Sequence, residues 1–185
     1  MNGSERLALI VLAAAIVLAS IVHLAAPVGP FDDAFITFRY VENIAAGRGA
    51  VYNAGERVFG VSCPLYAGWL TMLRLAIPSI PLPVLAARGN MLFLGAAALL
   101  VFVYLRCLGV PLLAGSLAAA AVALSAGILR ASLGAMESPM FIALLFGSLL
   151  ASLRGRGTIA VSLASLSALT RPEGLLVVAV VVVTV

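Results

Sequence analysis

Leu7 to Ala26 runs for about 20 residues without a charged side chain, a proline or a glycine, the length an α-helix needs to cross the hydrocarbon of a bilayer. Inside hydrocarbon no water is available to the backbone, so such a run must satisfy its own hydrogen bonds as a helix. A cleaved leader is the rival reading. The run is long for one, and no A-x-A cleavage pattern follows it. Pro27, Gly29 and Pro30 instead stop the helix and open a loop. His23, near the end of the run, is expected at the membrane interface.

The rest of the chain repeats the pattern. With 64% hydrophobic and 10% charged residues it is far from a soluble composition, and it reads as a single transmembrane module over residues 1–185. Further spans are expected over Val84 to Leu105, Leu112 to Leu129, Pro139 to Leu153 and, more briefly, Thr158 to Ala168. Leu175 to Val185 is apolar to its last residue but about half the length of a span, which implies a fragment of a longer protein. The net charge of +4 comes from eleven arginines and no lysine. Most of them fall between apolar runs, where they act as topology markers and not as a nucleic-acid surface. Cys63 and Cys107 fall on opposite sides of the bilayer in this arrangement and are not expected to pair.

The segment from Phe31 to Trp69 is the exception to all this apolarity, holding seven of the eighteen Asp, Glu and Arg residues. Ala34, Phe38, Val41 and Ala45 follow helical spacing, with Asp32, Arg39 and Asn43 on another face. Asp32 to Ala46 therefore reads as an amphipathic helix lying at the interface, ended by Gly47 and Gly49. Val51 to Val58 reads as a short extended piece with a turn at Asn53 to Gly55. Val61 to Ile77 is apolar enough to span but carries Pro64, Gly68 and Arg74. If it crossed, Arg154 and Arg156 would lie opposite the N-terminus. If it lies flat, Arg106, Arg154 and Arg156 are all cytoplasmic, as the positive-inside rule asks. The flat reading is adopted. It makes residues 31–78 a first extracytoplasmic loop with interfacial helices, and puts the Asp32 loop, Glu137 and Arg171 on one side.

That clustering is where chemistry is expected. Glu137 opens a span at its N-terminal end, where a carboxylate also complements the helix dipole. Thr170 to Gly174 interrupts an apolar run after roughly 12 residues, or about 18 Å of helix, too short to cross. Arg171 and Glu173 are therefore expected below the surface, either as a structural pair or facing a functional cavity. A carboxylate at such a site can take a proton from an attacking hydroxyl. A guanidinium can hold a phosphate as it leaves. Further carboxylates could hold a divalent cation, with Asp32 and Glu137 the candidate ligands. No Gly-rich phosphate loop, HExxH or GxSxG is present, so nucleotide hydrolysis, zinc proteolysis and hydrolase-type acyl transfer have no support.

An apolar first span followed by DDAFITFRYVENIAAGRGAVYNAGERVFG, then GAMESPMF, then LTRPEGLL, resembles the N-terminal part of the GT-C superfamily of polyprenyl-phosphate-sugar-dependent glycosyltransferases. The nearest likeness is to the terminal arabinofuranosyltransferase branch of actinobacterial cell-wall synthesis. The resemblance implies an all-α, polytopic membrane helical bundle with juxtamembrane helices in the first outer loop. It implies inverting transfer of a sugar from a polyprenyl-phosphate donor to a cell-envelope glycan or lipid acceptor, with a fragment of this length inactive by itself. On the same ground Asp32 is the expected general base, with Asp33 supporting it. Glu137 matches the acidic residue of the second outer loop, which in some members helps bind a metal. Arg171 matches a basic residue near the donor phosphate, with Glu173 beside it, and Arg39 and Glu56 are carried as further substrate-binding candidates. Phe59 to Pro64 departs from the acidic-Gly-aromatic run expected of the branch. Two other readings stand beside this one: a transporter or flippase for lipid-linked sugars, which calls for charges along a path through both leaflets, and a purely structural subunit.

Overall fold

A computed structural model describes residues 3–56, 58 and 60–184. Arg57 of the expected extended piece, and Phe59 of the departure from the family's run, lie outside the described residues. Nine helices and no strand occupy the described residues: α1 (Gly3–Ala25), α2 (Asp32–Ala45), α3 (Pro64–Ala76), α4 (Leu82–Cys107), α5 (Leu112–Leu124), α6 (Ala126–Leu133), α7 (Ser138–Leu153), α8 (Gly157–Ala168) and α9 (Gly174–Thr184). The α1 and α4 helices are each long and apolar enough to cross a membrane. The α5 and α6 helices add a third span if the pair, bent by 42°, is counted as one. The expected continuous span from Leu112 to Leu129 is thus broken at Ser125, which separates the two helices. At 16 residues α7 reaches roughly 24 Å, and α8 and α9 are shorter still.

Proline and glycine set the element boundaries. Pro64, Pro83 and Pro139 sit in the first turns of α3, α4 and α7, where a missing N–H costs nothing. Gly47, Gly109 and Gly155, at φ of 73°, 80° and 65°, close α2, α4 and α7. In each case the following amide turns back to the third-last helical carbonyl, as in Arg156 N to Ala151 O at 2.9 Å. The α6 helix ends in the same motif, but with Ala135 in the left-handed position at φ 59°. Its neighbour Gly134 is needed for space: a Cβ there would lie 2.8 Å from Arg130 O and 2.9 Å from the Phe31 ring. The strained residue stands two positions before Glu137.

Hydrogen bonds establish which helix ends lie together. At one end of the bundle His23 on α1 bonds Ala87 O on α4 at 2.8 Å and approaches Ser132 Oγ at 3.3 Å. Asn90 Nδ2 donates to Ser132 O at 3.1 Å and to Met136 O at 2.9 Å. Tyr66 OH donates to Ala135 O at 3.2 Å. His23, expected at an interface, is fully buried between α1, α4 and α6. The α3 helix is tied at its start to the end of α8, where Leu65 N bonds Leu169 O at 3.0 Å, and near its finish to α2, where Arg74 Nε bonds Glu42 Oε1 at 2.9 Å. Its inner face joins Phe38, Tyr40 and Val41 of α2 and Ala86 of α4 in one apolar cluster with Ala135 and Met140. A second cluster knits α7, α8 and α9 through Ala151, Ala160, Ala164, Val177 and Val181.

Asn90→Leu removes the only side chain donating to both Ser132 O and Met136 O among the described residues. It is expected to cost about 1–2 kcal/mol, since Met136 O loses its donor and Ser132 O keeps only Ala135 N, at 3.2 Å. Thermal unfolding in detergent measures this. An unchanged midpoint would show that the turn carrying Glu137 holds itself.

Candidate active site

The first connection is pinned to α2 side chain by side chain. Tyr40 OH donates to Val58 O at 2.6 Å and accepts from Gly60 N at 2.8 Å. Asn43, expected on the polar face of α2, is 2% exposed and gives its Nδ2 to Val51 O and Tyr52 O at 2.7 and 2.9 Å. These bonds replace the ladder of the expected extended piece. The turn at Asn53 to Gly55 is present, with Glu56 N donating to Asn53 O at 3.1 Å.

So anchored, the residues after Gly60 face the first turn of α2 across a cavity of about 360 Å³, within the range of small-molecule sites, about 300–1,000 Å³. Asp33 and Thr37 line it from α2, and Ser62 and Cys63 from the segment before α3. Met136 and Glu137 enter from the α6–α7 turn, and Arg171 from the α8–α9 turn. Three connections far apart in sequence therefore meet at one polar cavity. Main-chain bonds link them: Phe31 N to Gly134 O at 3.1 Å joins the first to the second, and Leu65 N to Leu169 O the first to the third.

Arg171 is the electrostatic centre. Its Nη1 donates to Glu137 Oε1 at 2.7 Å and its Nη2 to Glu173 Oε1 at 2.9 Å, with Ser138 Oγ at 3.4 Å from Nη1. The Glu137 side chain is 11% exposed, Arg171 32% and Glu173 55%. The Arg171–Glu173 pair, one of the two readings of this turn, is present, and the guanidinium also lines the cavity and reaches across to Glu137. The Glu173 hydrogen bonds, opposed by desolvation and aided by Glu137, push Arg171 above its already high range. In return Arg171 holds the Glu173 carboxyl below the usual carboxylate range. The stabilisation from Glu173 is thus present at neutral pH and lost as pH falls through that range.

Of the other expected site residues, Asp32 is exposed beside Asp33 and does not line the cavity. Arg39 Nε donates to Tyr52 O at 3.0 Å, and Glu56 accepts from Asn53 Nδ2 at 3.1 Å; both brace the loop away from the cavity. Thr37 and Cys63 are the additions. Asp33 and Thr37 are four residues apart on a helix, so they share a face, and that spacing was the signal for both. Of the two candidate cation ligands Asp32 is off the cavity and Glu137 is engaged by Arg171, and among the described residues no three His, Cys, Asp or Glu side chains come together. No family model, curated protein or solved structure matches the chain.

Both cysteines are free. Cys63 is buried with Sγ 3.4 Å from Thr37 Oγ1, and burial pushes its thiol up, whereas Cys107 is exposed. A maleimide added at neutral pH to the detergent-solubilised protein is expected to label Cys107 about tenfold or more faster than Cys63. Comparable rates would mean that the cavity opens far enough to expose Cys63.

Proposed function

We propose that the chain belongs to an integral-membrane glycosyltransferase that moves a sugar from a polyprenyl-phosphate donor to a cell-envelope glycan or lipid acceptor, at the outer face of a multi-pass bundle. The observation that carries this reading is the meeting of Asp33, Glu137 and Arg171 at one cavity, from three connections, at a single end of apolar helices. In it, Asp33 takes the proton of the acceptor hydroxyl as that oxygen bonds to the anomeric carbon. The bond from that carbon to the phosphate oxygen breaks on the opposite side, and the configuration inverts. Polyprenyl phosphate departs with the bonding pair, its charge met by Arg171. Asp32, next to Asp33, supports the local negative field.

Arg171 already has two carboxylate partners, so an entering phosphate has to displace one. Glu173 is the more exposed of them and swings into solvent at less cost than Glu137. This gives a binding test on the purified chain with a short-chain polyprenyl-phosphate sugar. Arg171→Leu should weaken binding by about tenfold or more, and Glu173→Gln, which frees the guanidinium, should tighten it. Binding unaffected by either change would end this assignment of the donor site. A transport path gains no support from α7, which holds no charged side chain over its 16 residues.

A further inference from the structure

At the end of the bundle away from Asp33, α4, α7 and α8 border a second space of about 390 Å³ and opposite character. Phe93, Leu100, Leu144 and Leu163 are among its walls, and the only charged groups on it are Arg154 and Arg156. Both arginines are exposed, and neither has a hydrogen-bond or ion-pair partner for its side chain among the described residues. Neither α7 nor α8 contains a carboxylate to neutralise them. The turn between them is rigid: Gly155 at φ 65° allows Gly155 N to reach Ser152 O and Arg156 N to reach Ala151 O, both at 2.9 Å. Two uncompensated guanidinium groups are thus presented side by side at the mouth of a hydrocarbon-lined groove.

Phe93 and Leu144 also line a further apolar space of about 420 Å³, bounded by Trp69, Met72 and Met140. The groove therefore continues along α4 and α7 toward α3. Its chemistry matches an amphiphile with one anionic end and an extended hydrocarbon chain. Soluble phosphate would leave the apolar walls unused, and a neutral lipid would leave both arginines unmatched.

We propose that Arg154, Arg156 and the α4–α7–α8 groove form a binding site for an anionic glycerophospholipid of the leaflet at that end. The phosphate sits between the two guanidinium groups and one acyl chain lies along the groove. The site is separate from the Asp33 cavity and stands whether or not that cavity transfers sugar.

The test is native mass spectrometry of the full chain in a neutral detergent, offered phosphatidylglycerol or phosphatidylcholine with identical acyl chains. The wild type is expected to retain one phosphatidylglycerol in preference to phosphatidylcholine by about tenfold or more, and the Arg154→Gln/Arg156→Gln double variant to lose that preference. Arg106→Gln removes a guanidinium that lies at the same end but not on the groove, and it should leave the preference intact. Millimolar glycerol 3-phosphate, a headgroup fragment without chains, should not displace the lipid. Equal retention of both lipids by the wild type, a loss with Arg106→Gln as large as with the double variant, or displacement by glycerol 3-phosphate would each overturn the proposal.

Discussion

Asp33→Asn in the full-length protein is expected to lower kcat/KM for sugar transfer by about 10²- to 10⁴-fold, whereas Asp32→Asn keeps it within about tenfold of wild type. The two residues are neighbours at the start of α2, but a helix turns about 100° per residue, so they cannot share a face. Asp33 lies with Thr37 on the cavity side, and Asp32 points to solvent. The amide of Asn keeps the shape and loses the ability to take a proton, and Glu137, the other carboxylate on the cavity, is engaged by Arg171. Transfer assayed in membranes with equal amounts of each variant decides the matter. A large loss with Asp32→Asn and a small one with Asp33→Asn would move the reacting hydroxyl to the other flank of α2 and remove the cavity from the mechanism.

The second large effect is on stability. Arg171→Leu strands Glu137, whose side chain is only 11% exposed, without its 2.7 Å partner. Losing one member of a buried pair costs about 3–5 kcal/mol, and the partial exposure of Arg171 reduces this to about 2–3 kcal/mol here. Glu137→Leu/Arg171→Leu removes both charges and is expected to be more stable than Arg171→Leu alone, because no uncompensated carboxylate remains. Unfolding of the two variants in the same detergent measures the difference. A double variant as unstable as the sum of its parts would mean that the pair is held for its geometry and contributes no mutual stabilisation.

Much of this architecture is legible in residue order. The apolar length of α1 and α4 and the Pro and Gly that bound α2 mark those helices to within four residues. The charge balance across the connections groups the Asp32 loop, Glu137 and Arg171 without any contact information, because the parity of crossings is a counting constraint. It does not say that Asp33 and not Asp32 lines the cavity. Side-chain direction within a connection is not legible in the same way. Asn43 is polar and was assigned to solvent, but its amide is what holds Val51 and Tyr52 carbonyls, and that role depends on a loop path no local pattern encodes. Arg39 and Glu56, carried as substrate-binding candidates, make their bonds within the loop, Arg39 to the Tyr52 carbonyl and Glu56 to the Asn53 side-chain amide. The bend between α5 and α6 was hidden by continuous hydrophobicity, since Ser125 and Gly127 are ordinary residues in a tightly packed helix.

The three connections around the cavity are tied by carbonyl and amide groups of the main chain, at Phe31 with Gly134 and at Leu65 with Leu169. Such ties do not depend on which side chains the residues carry, apart from the small glycine that lets Phe31 approach. A lineage carrying this fold can therefore exchange the groups lining the hollow one by one and retune what it admits, while the frame that sets its width is inherited unaltered.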